Sequence, residues 1–588
     1  MKSSKIFWLL GLVLVLGMFL AACGDDAAAP EEDVEETDVE EPVDEEEPAE
    51  EAPEEEATEF VPAEEVPELD EPQVLNLMEG AEIPSLDTSL STDAVSFNIL
   101  GNVNEGLYRL SPDNVPVPAV AAEPATISED GLTYTFKLRD DAVWSDGTPV
   151  TAQDFVYSWQ RSIDPATGSS YGPYMMSGVI ANASEIAAGE LEPSELGVTA
   201  IDDKTLEVQL ERPTPYFESL MSFPLFFPLN QEFVEAQGDA FASNSDALLY
   251  NGPFTLENWD GTGLSWSLAK NENYWNADTV NLDEIKFDVV KETSTAINLY
   301  QSGEKDRTGL SGEFAMQYAN DPNLITELEP TLFYLKFNQE RNGEPTPLAN
   351  ENIRQAIAMG FNKQDLTDVI LANGSLPADY LVPTDFAFNE EGEDFRDING
   401  DVLGYDPEAA LEAWEAGLEE LGVEEITLEL LGGDSELAKK MDEYLKAQLE
   451  ENLPGLTIEL RQVPFAVRLE ADEAQDYDIQ NAGWAPDYQD PMTFIDLFVT
   501  DGAHNKMSYS NPEFDALVEA AKTELALDPA ARWEAMAEAE RILLEDAGIA
   551  PIYQRGTMSL QKPYVHNLVS HPFGSDYSYQ WAYIDGKE

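Results

Sequence analysis

The chain has 588 residues, 43% of them hydrophobic, with 117 acidic against 30 basic side chains and a net charge of −87. That length allows about two to four domains with a sizeable core, while the charge excludes nucleic acid as a natural partner, because phosphate binding needs clustered Lys and Arg. One cysteine excludes an intrachain disulfide or a Cys-based metal cluster, and the three histidines, His504, His566 and His571, lack metalloprotease spacing, nor is there a GxSxG elbow, a P-loop or a GxGxxG turn.

Lys2 and Lys5 precede an apolar run from Ile6 to Leu20 that ends in Ala21 and Ala22. Fifteen helical residues reach roughly 22 Å, short of the roughly 30 Å hydrocarbon core, so residues 1–22 read as a signal peptide rather than a permanent span. Leu20-Ala21-Ala22-Cys23 resembles the lipobox of bacterial lipoproteins. The resemblance implies cleavage before Cys23 and a diacylglyceryl group on its sulfur, an anchor of two acyl chains where one is marginal. The stretch 23–72 is dominated by Asp and Glu with no Lys or Arg. It buries too little apolar surface to offset its ordering entropy and reads as an extended, self-repelling tether.

Order begins at Val74-Leu75-Asn76-Leu77, an alternating strand start, followed by a polar loop and a helix-like stretch around Phe97 to Leu100. From Gly131 to Arg161, Leu132, Tyr134, Phe136 and Leu138 alternate as a half-buried strand. Ser145-Asp146-Gly147-Thr148 makes a turn, and Thr151 with Asp154 caps a helix presenting Phe155 and Trp159. This order of strand, W-S-D-G-T-P-V-T-A turn and capped helix resembles the signature of the ABC-importer solute-binding proteins that take peptides, nickel complexes or sugars. Tyr171, in a Gly/Ser loop, matches a tyrosine that lines the peptide cleft in that family; on residue type alone it is a packing residue.

Further along, Thr331 to Phe337 alternates as a strand, and Gly374 is expected to end the helix that follows the one at Asn350 to Ala356. Asp406-Pro407 opens a helix whose buried stripe is read as Leu411, Trp414, Leu418 and Leu421, stopped by Gly422. Strands at Ile426 to Leu431 and Leu456 to Leu460 flank a helix around Met441 to Leu449, a β-α-β pattern. Asp397-x-Asn399-Gly400-Asp401 falls short of a calcium loop, which needs an acid at Phe395 and glycine at Val402. Ser510-x-Pro512-Glu513 is expected to cap another helix, and Ala550 to Tyr553 is a strand that returns to the first lobe.

The richest stretch is Asp476 to Phe498, DYDIQNAGWAPDYQDPMTFIDLF. A strand from Tyr477 to Ala482 runs into Gly483-Trp484-Ala485-Pro486-Asp487, where Gly and Pro disfavour helix and an irregular turn is expected. A large aromatic, a carboxylate and free backbone groups there make an edge suited to an amine and a main chain; in so acidic a chain, any one Asp is otherwise a solvated surface group. GWAPDYQDPMTF resembles the Gly-Trp-x-x-Asp-Tyr-x-x-Pro segment of oligopeptide-binding proteins of ABC importers, solute-binding protein family 5. The resemblance implies that Asp487 pairs with a peptide's ammonium group, that backbone at Gly483, Ala485 and Ala94 pairs with the peptide as an added strand, and that Trp484, Tyr171 and Phe465 wall its side chains. The arginine that grips a peptide's carboxylate in some members has its counterpart at Asn481, which leaves ligand length open.

The implied fold is α/β, a two-lobed periplasmic-binding-protein-like architecture of type II with an extra inserted domain and a two-strand hinge. Its expected parts are lobe I at 73–104, 231–332 and 553–588, the inserted domain at 105–230 and lobe II at 333–552. The implied molecule is a monomeric, extracytoplasmic, lipid-anchored binding protein without enzymatic activity, cofactor or metal, which passes oligopeptides to an ABC permease and its ATPase subunits. Nickel complexes or oligosaccharides on the same fold are the alternatives, and a surface-anchored hydrolase a more distant one. The acidic composition points to a saline or alkaline habitat.

Overall fold

The computed structural model describes residues 69, 72–389 and 391–587. The expected signal peptide at 1–22, the lipid-attachment residue Cys23, and all of the tether except Leu69 and Pro72 lie outside the described residues.

The first lobe is built on a four-stranded sheet of β1 (Val74–Glu79), β2 (Phe254–Glu257), β3 (Ser265–Lys270) and β4 (Glu284–Val289), in the order β1-β4-β3-β2. β1 joins β4 in parallel; the other pairs are antiparallel. Helix α1 (Ala94–Val103) follows β1, its first turn held by Asp93, whose carboxylate accepts from the Ser96 amide (2.9 Å) and hydroxyl (2.7 Å).

Between α1 and β2 lies a small sheet whose strands run in the order Thr126–Ile127, Thr133–Lys137, Thr205–Gln209 and Val198–Asp202. Helix α2 (Ala152–Ile163) covers it, starting where Asp154 accepts from the Thr151 amide at 2.8 Å. Phe155 and Trp159 are fully buried, and the Trp159 indole donates to the Phe226 carbonyl at 3.0 Å, so its polar edge is satisfied inside the core. Short helix α3 (Tyr171–Met176) brings Tyr171 and Tyr174 to the edge of this unit.

A second, larger sheet has seven strands. Its main path, in spatial order, is β5 (Arg307–Leu310), β10 (Ile549–Gln561), β6 (Leu324–Phe337), β9 (Ile479–Trp484), β7 (Ile426–Gly433) and β8 (Leu456–Val463), and Leu376–Pro377 adds a short strand on β10. The β7 and β8 pair is parallel, as the β-α-β pattern requires. Helices α4 (Pro407–Leu421) and α5 (Glu436–Asn452) contribute Trp414, Met441, Leu445 and Leu449 to a core shared with Leu428, Leu430 and Ile458.

Strands β6 and β10 are long because they serve both lobes. Their register breaks between Leu328 and Leu332 and again between Phe333 and Tyr334. Gln554 fills the first break, fully buried, donating to the carbonyls of Glu329 and Thr384 (both 3.1 Å). The Glu329 carbonyl, freed by the break, thus keeps a hydrogen-bond partner.

Local expectations shift in four places. The strand before the Pro486 turn continues through Trp484 because β6 pairs with it to Leu332, so the irregular turn begins only at Ala485. The cap near 511 is Asn511, not Ser510: its carboxamide accepts from the amides of Glu513 (2.9 Å) and Phe514 (3.3 Å). The buried stripe of α4 passes through Ala410, Trp414 and Gly417, and Leu421 is exposed. The helix expected to end at Gly374 already ends at Ala372, left-handed at φ 48°.

Candidate functional site

The turn after β9 and the start of α1 face each other across a cavity of about 750 Å³. Asp487, Trp484, Gly483, Ala485, Tyr171, Phe465 and Ala94 all line it. A second cavity of about 500 Å³ adjoins it, and Thr331, Ala485, Arg555 and Gly574 line both.

One wall is a strand edge. β9 pairs with β6 from Ile479 to Trp484, but on its other side β7 meets only Ile479 and Gln480. Among the described residues no strand pairs with that side from Asn481 to Trp484, which is the geometry an added strand requires. Gly483 has no room for a side chain: a Cβ there would lie 2.9 Å from the Phe333 ring. That ring is itself stacked on Tyr553, centroids 4.7 Å apart.

Asp487 sits at the end of this edge, 5% exposed. Its amide donates to Thr493 Oγ1 (3.0 Å), and its Oδ1 accepts from the Tyr171 hydroxyl at 3.3 Å. Oδ2 is buried with no partner. Burial pushes the carboxyl well above its ordinary value, with the Tyr171 hydrogen bond only partly opposing. The loop is pinned from behind, where both Arg532 Nη atoms donate to Asp490 at 2.8 Å.

The remaining walls are aromatic. Tyr171 and Trp484 lie parallel, centroids 6.2 Å apart, and His504 sets its edge 4.9 Å from each. Tyr174 closes the group, 4.6 Å from His504. Burial, with Lys336 and Lys506 nearby, pushes the His504 imidazole down to about 3, so it is neutral. Its Nε2 and the Trp484 Nε1 are buried without partners. On the opposite wall, burial pushes Asp93 up to about 6.

These groups can hold a cation at Asp487, a main chain along β9 and side chains against the rings. Among the described residues, no group of three His, Cys, Asp or Glu side chains is placed to hold a metal ion. His571 is engaged by Asn114 and Ser578, both at 2.7 Å, and His566 stacks on Tyr583.

Residues 115–506 match the family model of bacterial extracellular solute-binding proteins, family 5, middle region. The chain belongs to that family. This family 5 protein is 35% identical to the dipeptide-binding protein of Lactococcus lactis over 86% of its own length and 93% of the relative's. Among solved structures it resembles Listeria monocytogenes OppA bound to peptide, with 49% identity and a TM-score of 0.85 over 88% of this chain and all of that one. It also resembles the substrate-binding domain of an oligopeptide ABC transporter from Bacillus anthracis, with 46% identity and a TM-score of 0.86 over 88% and 100% of the two chains.

Side chains of this family 5 protein bridge the cavity's two walls. Tyr171 and Tyr174 of the insertion reach Asp487 and the Thr493 carbonyl (3.1 Å) of the second lobe. On another flank, Lys291 bridges Glu82 (3.1 Å) and Asp434 (2.9 Å).

Sequence reasoning did not pick out Tyr174, His504, Lys336 or Arg468 as part of this site. Tyr174 carried a usable signal, since it lies one helical turn from Tyr171 and shares its face. His504 and Arg468 sit in unremarkable contexts, and only the folded backbone brings them to the cavity.

Proposed function

We propose that this family 5 protein captures short peptides in its closed cleft and hands them to the permease of an ABC importer. The reading rests on one observation above all: a buried carboxylate oxygen, Asp487 Oδ2, has no partner beside an open strand edge. A peptide's ammonium group, still charged at neutral pH with an ordinary pKa of about 8, supplies the missing partner, and its main chain adds to β9 at Gly483 and Ala485 and faces Ala94 across the cavity. Main-chain bonding accounts for broad sequence tolerance, and Tyr171, Trp484 and Phe465 wall the side-chain spaces. The names of the relatives support it: one binds dipeptides, one was solved with peptide, and one serves an oligopeptide ABC transporter. Nickel complexes and oligosaccharides offer no group for the buried acid as well matched as an ammonium.

In the same reading the chain divides into lobe I at 73–104, 231–332 and 553–588, an inserted domain at 105–230 and lobe II at 333–552. Cys23 carries the lipid that tethers a monomer to the outer face of the membrane. Calorimetry with Ala-Ala-Ala and N-acetyl-Ala-Ala-Ala tests the binding role: the free amine binds and the acetylated peptide does not. Equal binding of both overturns the assignment of Asp487, and release of labelled fragments from a peptide library overturns the non-enzymatic reading.

A further inference from the structure

Lys291 stands just past β4, and its ammonium lies between acids that belong to different sheets. Glu82, in the loop after β1 of the same small sheet, is 3.1 Å away. Asp434, directly after β7 of the seven-stranded sheet, accepts from it through both carboxylate oxygens at 2.9 Å. The backbone joins the same seam, where the Lys291 carbonyl accepts from the Glu436 amide (3.2 Å) at the start of α5.

The seam has one cation for two acids. Among the described residues, Lys291 is the one cation within ion-pair distance of Glu82, whose Oε2 is buried, and the one cation within that distance of Asp434. Glu436, the next acid along, is served separately by Lys440 at 2.8 Å. Without the ammonium, two largely buried carboxylates confront each other where the sheets meet, in a chain of net charge −87.

The contact lies away from the ligand. Lys291 does not line the main cavity and borders instead a separate one of about 400 Å³, with Thr293 and Leu437. Asp487 is only 5% exposed, so a peptide reaches it when the walls part. Two structures of the murein tripeptide-binding protein MppA, each 29% identical to this chain, match it with a TM-score of 0.80 and, in the unliganded open form, 0.57. The placement of the two sheets here is nearer the former. Moving the sheets apart breaks the Lys291 contact with Asp434 and leaves that with Glu82, which lies beside the same sheet.

We propose that Lys291 is a positioning residue for peptide capture: it stays on Glu82 while the cleft is open and engages Asp434 as the sheets meet, supplying the charge that lets two acidic surfaces close over the ligand. The proposal rests on the peptide-binding reading and concerns a residue that touches no ligand. Because apparent affinity scales with the fraction of protein able to close, loss of this contact lowers the affinity for every peptide by one factor, and it acts on dissociation more than on association.

The test is calorimetry and stopped-flow binding of Ala-Ala-Ala and Ala-Phe-Ala to the wild type, Lys291→Met, Lys291→Arg, Asp434→Asn and the double variant Lys291→Met/Asp434→Asn. Each is measured at about 0.01 M and about 1 M NaCl, where the Debye length is about 30 Å and about 3 Å. At low salt Lys291→Met is expected to bind both peptides roughly five- to thirtyfold more weakly than the wild type, through faster dissociation. In 1 M NaCl the gap narrows to within about threefold, because the exposed acids are screened. Lys291→Arg keeps most of the affinity, and the double variant binds better than Lys291→Met, since removing the second acid removes the repulsion. A gap that salt leaves unchanged, a loss that differs between the two peptides, or a double variant no better than Lys291→Met overturns the proposal. If Lys291→Met matches the wild type, the peptide-binding reading stands without it; if no peptide binds the wild type, both fall. Should Lys291→Met fail to fold by circular dichroism, Asp434→Asn decides, an absent or salt-independent gap to the wild type overturning the proposal.

Discussion

Tyr216 of the insertion stacks on Tyr488, the residue that follows Asp487, with ring centroids 4.6 Å apart and planes 13° from parallel. The contact ties closure of the cleft to the seating of the acid. An aromatic pair adds about 0.5–1.5 kcal/mol beyond its buried area. Tyr216→Ala is therefore expected to weaken tripeptide binding by roughly three- to tenfold and to reduce ligand-induced compaction in X-ray scattering. Unchanged affinity would show that the stack does not contribute to closure.

Asp487→Ala removes one member of a charge pair that forms when peptide enters a buried site. Breaking such a pair costs roughly 3 to 5 kcal/mol. Calorimetric affinity for Ala-Ala-Ala should fall at least about a hundredfold, while the thermal unfolding midpoint of the ligand-free protein holds or rises, since an unfavourably buried carboxyl is gone.

His504 gives a pH dependence with a definite sign. Burial pushes its imidazole down to about 3 in the folded protein, from an ordinary value near 6.5. The unfolded chain therefore takes up a proton first, and the contribution, complete above about pH 6.5, is lost progressively as pH falls towards 3. Between pH 6.5 and 5 the loss reaches about 2 kcal/mol. Asp487 and Asp93, both raised, act with the opposite sign, so the comparison must be differential. From pH 7 to 5, His504→Gln should lose less stability in denaturant melts than the wild type. A parallel decline would place the imidazole in water.

Gly483→Ala puts a methyl 2.9 Å from a Phe333 ring already stacked on Tyr553. Overpacking of this kind costs roughly 1–3 kcal/mol. The variant is expected to unfold at lower denaturant and to bind peptide more weakly, since the displaced strand is the docking edge. Wild-type stability would mean the ring yields freely.

The net charge of −87 predicts a stabilising effect of salt. At about 1 M the Debye length falls to roughly 3 Å, which screens repulsion between surface carboxylates. The melting temperature should climb as NaCl is raised from low concentration, and a flat or falling response would remove the case for a saline habitat.

Much of the fold was legible where local chemistry is explicit. Asp146-Gly147 makes its turn, with the Thr148 amide bonded to Asp146 at 2.9 Å, and Gly422 ends α4 at φ 70°. Strand alternation located β1 and β9, but their ends depend on partners distant in sequence, and that is why β9 runs two residues past its apparent stop at Ala482. Four cavity residues, Gly483, Trp484, Ala485 and Asp487, could be named from one motif, and Tyr171, Phe465 and Ala94 only through the family resemblance. Arg468 could not, because only the folded backbone brings it to the cavity. His504 follows an ordinary glycine turn, and only its placement between Tyr171 and Trp484 gives it meaning.

The pairing of β6 with β10 has a consequence for how the molecule is made. Gln554 bonds the carbonyl of Glu329 across 225 residues of intervening chain, and β10 lies between β5 and β6 in the large sheet. A chain emerging in order leaves that slot empty, with β5 and β6 exposing unmatched edges, until some 200 further residues have appeared. Completion late in synthesis makes this sheet the slow step of maturation and the stage most vulnerable to intermolecular strand capture.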